Sequence, residues 1–193
     1  MAKRRDTRQI LIEEGEKAFL LNGYYGVGLA TILKDAGIPK GSFYFFFESK
    51  ESFVLAILDA YEARYIALRA SFLEDSSRPA LKRLWAYLDC LKEIHRAEEP
   101  LGGCLFGVMA QTAANQNAAI SGRLAQIFSR WTAQLAALLL EAQNHGEVGL
   151  HMCAHTTASL LIDAYEGALV RSKAEGNLVA LESFCAFAKV LLQ

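Results

Sequence analysis

One stretch, Ala36-Gly37-Ile38-Pro39-Lys40-Gly41-Ser42-Phe43-Tyr44-Phe45-Phe46-Phe47-Glu48-Ser49-Lys50, limits what this chain can fold into more than any other. Gly37 can take positive φ and end a preceding helix at a sharp angle. Pro39 fits in or just after the turn, where its fixed φ and missing N–H cost little. Phe43 and Phe47 are four apart and fall on one face of a short helix, with Ile32, Leu33 and Ile38 as packing partners. Lys40, Ser42 and Tyr44 then point the other way, at a helix N-terminus whose unpaired N–H groups favour phosphate. Lys50 adds a second cation within reach of the same anion. The pattern predicts a helix-turn-helix that offers its polar side to DNA. A wholly buried apolar helix would account for the Phe residues but not for Lys40, Gly41, Ser42 and Tyr44.

The rest of the chain is punctuated as helices. It has three prolines in 193 residues and no alternating Val/Ile/Thr-rich runs, so the expected fold is all-α. The 53% hydrophobic content suffices for a sizeable core in one or two domains. A first helix is expected from Thr7 to Asn22, ended by Gly23. A long helix opens at Lys50 and carries Phe53, Ile57, Tyr61, Tyr65 and Leu68 at three-to-four spacing. Breaks at 76–79, 99–103 and 145–149 then predict a helix from near Pro79 through Ile94, a short apolar one over 104–113, and longer ones over 120–144 and 150–171. A last helix is expected over 177–192.

Charge is uneven along the chain. Residues 1–50 hold eight Lys/Arg against six Asp/Glu, whereas the remainder is net −3 and the whole chain −1. A non-specific nucleic-acid coat would be far more basic. Lys3, Arg4, Arg5 and Arg8 form an N-terminal arm that either reaches phosphates and the minor groove or is a solvated tail. No run of eighteen apolar residues marks a membrane span, and no apolar stretch follows the charged N-terminus as in a signal peptide. The expected location is the cytoplasm. Cys90, Cys104, Cys153 and Cys185 lie far apart with no CxxC, so neither a disulfide framework nor a metal site is expected, nor any cofactor. Cys90, Cys153 and Cys185 sit in apolar helix stretches and read as core.

Thr7-Arg8, Ile10-Leu11, Ala18-Phe19, Gly23-Tyr24, Ala36-Gly37-Ile38, Lys40-Gly41-Ser42, Tyr44, Phe47 and Ser49-Lys50-Glu51, in register, resemble the N-terminal signature of the tetracycline-repressor (TetR) family of bacterial regulators. The resemblance implies a three-helix DNA-binding domain, here residues 1–50 with the basic arm, and a helical effector-binding and dimerisation domain, residues 51–193. It implies that Lys40, Ser42, Tyr44, Phe45 and Lys50 face DNA. With Gly41 of the same block and Lys3, Arg4 and Arg5 of the arm, these are the candidate DNA-binding residues. Gly28 joins them: it stands where such sequences often carry a phosphate-touching Thr, so contact there would fall to backbone N–H. The implied partners are a palindromic double-stranded operator read by a homodimer, and a small-molecule effector.

Two further sets follow. Small residues Ala164, Gly167 and Ala168 share a helix with Leu160, Leu161 and Tyr165, a combination that lets two helices approach closely, either between subunits or within one chain. Cys104 follows Gly102-Gly103 at a predicted helix N-terminus, where a thiolate is favoured. The block Gly103-Cys104-Leu105 is similar to the part of the family that senses electrophiles or acrylate-like acids. Cys104 is either such a sensor or a small buried apolar residue. Trp85, Phe106, Met109, Phe128 and Trp131 are the candidate walls of an effector pocket. The competing function is a small helical thiol enzyme with Cys104 as nucleophile, for which His95 is the nearest base in sequence.

Overall fold

The computed structural model describes residues 6–98, 101–149 and 151–192. The described residues form helices α1 (Thr7–Gly26), α2 (Leu29–Asp35), α3 (Lys40–Phe46), α4 (Lys50–Leu73), α5 (Ala80–Arg96), α6 (Leu105–Thr112), α7 (Ala118–Asn144), α8 (Ala154–Glu175) and α9 (Val179–Leu191), with no strand among them. No helix among them is long and apolar enough to cross a membrane. Two compact units are present. The first runs to Arg64 and takes in Cys104–Ala125; the second comprises Tyr65–Gly103 and the residues from Gln126 onward. This division differs from the expected cut at residue 50, because the first half of α4 and all of α6 pack with the N-terminal helices.

In the first unit, Asp6 caps α1 by accepting the Arg8 N–H at 3.2 Å. Gly23 breaks the helix as its sequence position predicts, with φ 70°, but one more turn follows to Gly26. The turn after α2 closes locally: Ile38 N–H donates to the Leu33 carbonyl and Gly37 N–H to that of Lys34, with Gly37 at φ 67°. That is the Schellman arrangement, in which a left-handed glycine satisfies the last carbonyls of a helix. Pro39 then caps α3 with its φ of −61°.

Phe53 of α4 joins these pieces. Fully buried, it lies edge-on to Phe43 of α3 at 5.3 Å between ring centroids, 4.8 Å from Phe47 and 6.1 Å from Phe19 of α1. Such ring pairs add about 0.5–1.5 kcal/mol each beyond the area they bury. α1 comes this close to α4 because Gly15 has no side chain: a Cβ there would stand 2.4 Å from the Phe53 Cζ. Ser49 and Ser52 cap the start of α4 reciprocally, each hydroxyl accepting the other's N–H at 3.0 Å.

In the second unit α9 packs on α5 and α8. Glu147, from the turn before α8, accepts the N–H groups of Ala80 and Leu81 at 3.0 and 2.9 Å, capping α5 with a carboxylate. Buried Arg83 donates to the Leu73 carbonyl at 2.6 Å and pairs with Glu141.

Gly15→Ala is expected to lower the unfolding free energy by about 1–3 kcal/mol through overpacking, and Phe53→Ala by about 3–5 kcal/mol through the cavity it leaves. Urea unfolding of both variants measures this; an unchanged midpoint for Gly15→Ala would show that the approach of α1 to α4 does not depend on the missing side chain.

Candidate nucleic-acid interface

The polar and apolar sides of α3 separate as the sequence predicts. Phe43 is fully buried, while Tyr44 is 52% and Phe45 83% exposed. Lys40 and Gly41 are also exposed and Ser42 is half-buried. Thr7, Gly41, Ser42, Phe45 and Phe46 line a shallow depression beside this row. Gly28 is the exposed cap of α2; its carbonyl accepts the N–H of Thr31 at 3.1 Å, and it contributes no side-chain cap. Lys3, Arg4 and Arg5 lie outside the described residues.

Lys50 behaves otherwise. Its ammonium was expected to face DNA, yet it donates to the Tyr24 carbonyl and, at 2.8 Å, to that of Val27. It also sits 4.5 Å over the Tyr24 ring. A cation here answers the orphaned carbonyls at the end of α1, and burial pulls its pKa below the ordinary lysine value. Lys50 therefore clamps the end of α1 to the start of α4.

The effector candidates are divided between the two units. Phe106 and Met109 are buried in the first unit, where Phe106 meets Tyr61 edge-on at 4.9 Å. Trp85, Phe128 and Trp131 belong to the second, where Trp131 stacks near Phe128 at 6.4 Å and meets Tyr165 edge-on at 5.8 Å. Cys104 caps α6, as its position after two glycines predicts, but it is buried. The enzyme reading needs a base, and both ring nitrogens of His95 are engaged: Nε2 with the Tyr165 hydroxyl at 2.7 Å and Nδ1 with Glu98 at 3.3 Å.

Leu161 and Tyr165, expected at a subunit interface, are buried within the chain instead. They occupy the inner face of α8; Leu160, Ala164 and Gly167 lie on its outer face and are exposed, with Ala168 between. On α9, Phe187 is 62% and Val190 70% exposed, so the two helices leave an apolar outer surface.

Cys153 is a further residue that the sequence reading misplaced. Because α8 begins at Ala154 rather than 150, this thiol is the exposed cap of the helix and not part of its apolar body. Hydrogen bonding to the Thr156 side chain, then to the backbone at Thr156 and His155, pulls its pKa below the ordinary thiol value. Burial pushes the Cys185 and Cys90 thiols up. A Thr three residues after the Cys was the available signal. No group of three or more His, Cys, Asp or Glu among the described residues is arranged to hold a metal ion.

Residues 11–57 match the family described as bacterial regulatory proteins, tetR family, and residues 80–188 match the tetracyclin repressor-like C-terminal domain. The HTH-type transcriptional repressor DhaR of Mycobacterium sp. (strain GP1) is 32% identical over 181 residues, covering 94% of this chain and 89% of that protein. Among solved structures, the regulatory protein TetR from Rhodobacter sphaeroides has a TM-score of 0.92 at 30% identity, covering 97% of this chain and 99% of its own. The reduced form of NemR from E. coli has a TM-score of 0.88 at 25% identity, covering 98% of each chain.

Iodoacetamide under native conditions is expected to label Cys153 first, with a rate that rises at a pH below that of an ordinary thiol, and to reach Cys104 and Cys185 only on unfolding. Peptide mapping against time reads this order. Prior labelling of Cys104 would show that the start of α6 opens in the folded protein.

Proposed function

Because the chain belongs to the TetR family of bacterial regulatory proteins, we propose that it is a transcriptional repressor whose α3 enters the major groove of a palindromic operator, presented twice by a homodimer and withdrawn when a small molecule binds. That it is a DNA-binding transcriptional regulator follows from the family and from relatives such as DhaR. The observation that carries the finer reading is the row Lys40, Tyr44 and Phe45, exposed on a helix whose opposite side is sealed by Phe43. Tyr44 and Phe45 meet their chain neighbours Phe43 and Phe46 edge-on, at 5.3 and 4.9 Å, and still leave most of their surface open; the groove covers it, with thymine methyls for Phe45 and phosphate for Tyr44 and Lys40. Lys50 contributes by holding α1 against α4 rather than by touching DNA.

Pairing is supported by geometry and by need. A two-turn helix reads too few bases alone, and two-fold pairing doubles them at a spacing of about one helical turn. The outer apolar surface of α8 and α9, with Leu160, Ala164, Gly167, Phe187 and Val190, is the face proposed for it. Effector response would pass along α4, which is one continuous helix with residues in both units; a ligand shifts DNA affinity only by its differential affinity for the two states.

In gel-shift titrations on the promoter region of its own gene, Lys40→Ala should weaken binding and reduce the slope of log K against log salt by about one. Lys50→Met should lower stability and leave that slope unchanged. Equal slopes for wild type and Lys40→Ala would remove α3's outward row as the docking face.

Phe187→Glu with Val190→Glu should convert a dimer into monomers by sedimentation and abolish tight operator binding. A double variant that stays dimeric would assign the interface elsewhere.

A further inference from the structure

Phe45 brings to the exposed row of α3 a side chain with no hydrogen-bonding atom. It is 83% exposed, and its ring is held from behind. Phe46 meets it edge-on at 4.9 Å and lies 6.5 Å from Phe47, which is buried against Phe53. One turn earlier on the same face stands Gly41. Neither backbone nor neighbour asks for glycine there: its φ is not positive, and a Cβ would meet nothing within 4 Å. Glycine inside a helix lowers its stability, and what it leaves here is an open floor beside the Phe45 ring. Gly41, Ser42, Phe45 and Phe46, with Thr7 from the start of α1, line that depression, and none of these side chains carries a charge.

A phenyl ring exchanges no hydrogen bonds with the donors and acceptors by which base edges differ. The apolar group that a base pair offers in the major groove is the C5 methyl of thymine, and 5-methylcytosine carries the same methyl on the same ring carbon. We propose that the depression beside Phe45 seats the 5-methyl group of a pyrimidine, thymine or 5-methylcytosine alike, so that cytosine methylation of the operator is a second input to DNA binding, separate from the effector. A phosphate fits the seat less well, because its lining brings no cation to it. The ring is already positioned, so little ordering opposes the contact. This rests on the reading that α3 enters the major groove and adds what its tip discriminates there.

Gel shifts of the full chain at constant salt test the seat on the promoter region of its own gene, prepared with thymine or with uracil throughout, which removes only the methyl groups. Wild type should bind the uracil fragment about fourfold more weakly for each seat filled, about fifteenfold for a dimer that fills two. Phe45→Ala should bind the two fragments alike. Gly41→Ala should also lose the preference, since its added methyl raises the floor, while the fold stays at least as stable because that methyl enters open space. A single-position uracil scan then locates the methyl that is read. At that position a 5-methylcytosine–guanine pair should bind about fourfold more tightly than cytosine–guanine. Equal binding of both fragments by wild type, a preference that survives in Phe45→Ala or Gly41→Ala, or indifference to cytosine methylation would each overturn the proposal. If Phe45→Ala binds neither fragment, Gly41→Ala decides. Failure of wild type to bind either fragment would overturn the regulator reading itself, and the seat with it.

Discussion

The exposed row of α3 depends on Phe53. A helix of seven residues does not hold its shape in water, since nucleation costs more than two turns return. α3 persists because Phe43 and Phe47 are docked on a ring that belongs to α4 and that also meets Phe19 of α1. Fixing the inward side fixes the outward one, so the aim of Lys40, Tyr44 and Phe45 is a consequence of core packing. Gly15 admits the ring and Lys50 ties the end of α1 to the start of the same helix. The residues that would read DNA are therefore positioned by residues that never touch it.

The second unit shows how the chain treats buried charge. Arg83 is matched by a carboxylate and a carbonyl, and in the first unit Arg123 answers both Asp59 at 2.7 Å and buried Glu62 at 2.5 Å. Arg69 has a side-chain amide and an aromatic face instead. Arg69 Nη2 and Arg83 Nε are both buried without an acceptor, so these two differ in the charge of their side-chain partner and not in how fully they are paired.

Much of the first unit was legible in the sequence because its signals are local. The turn at Gly37 closes through hydrogen bonds between residues four or five apart at most, and the Phe43–Phe47 spacing names the buried side without knowledge of the partner. Cys153 was not legible. Whether it is helix body or cap depends on where the chain leaves the 145–153 connection, which is held by distant contacts, Glu147 on the start of α5 and the Gln143 amide on the Met152 carbonyl. Leu161 and Tyr165 failed for a related reason: α8 is apolar on two faces, and periodicity cannot say which one the chain keeps for itself.

By itself the sequence determined the all-helical character, the turn, the short helix and its two sides, because each follows from backbone preference and from contacts within one or two turns. Only the tertiary structure decided that Lys50 turns inward, that Cys104 is enclosed while Cys153 is open, and that buried Arg69 meets an uncharged amide. Those outcomes depend on which distant residue arrives beside a long or small side chain, and no spacing along the chain encodes that arrival.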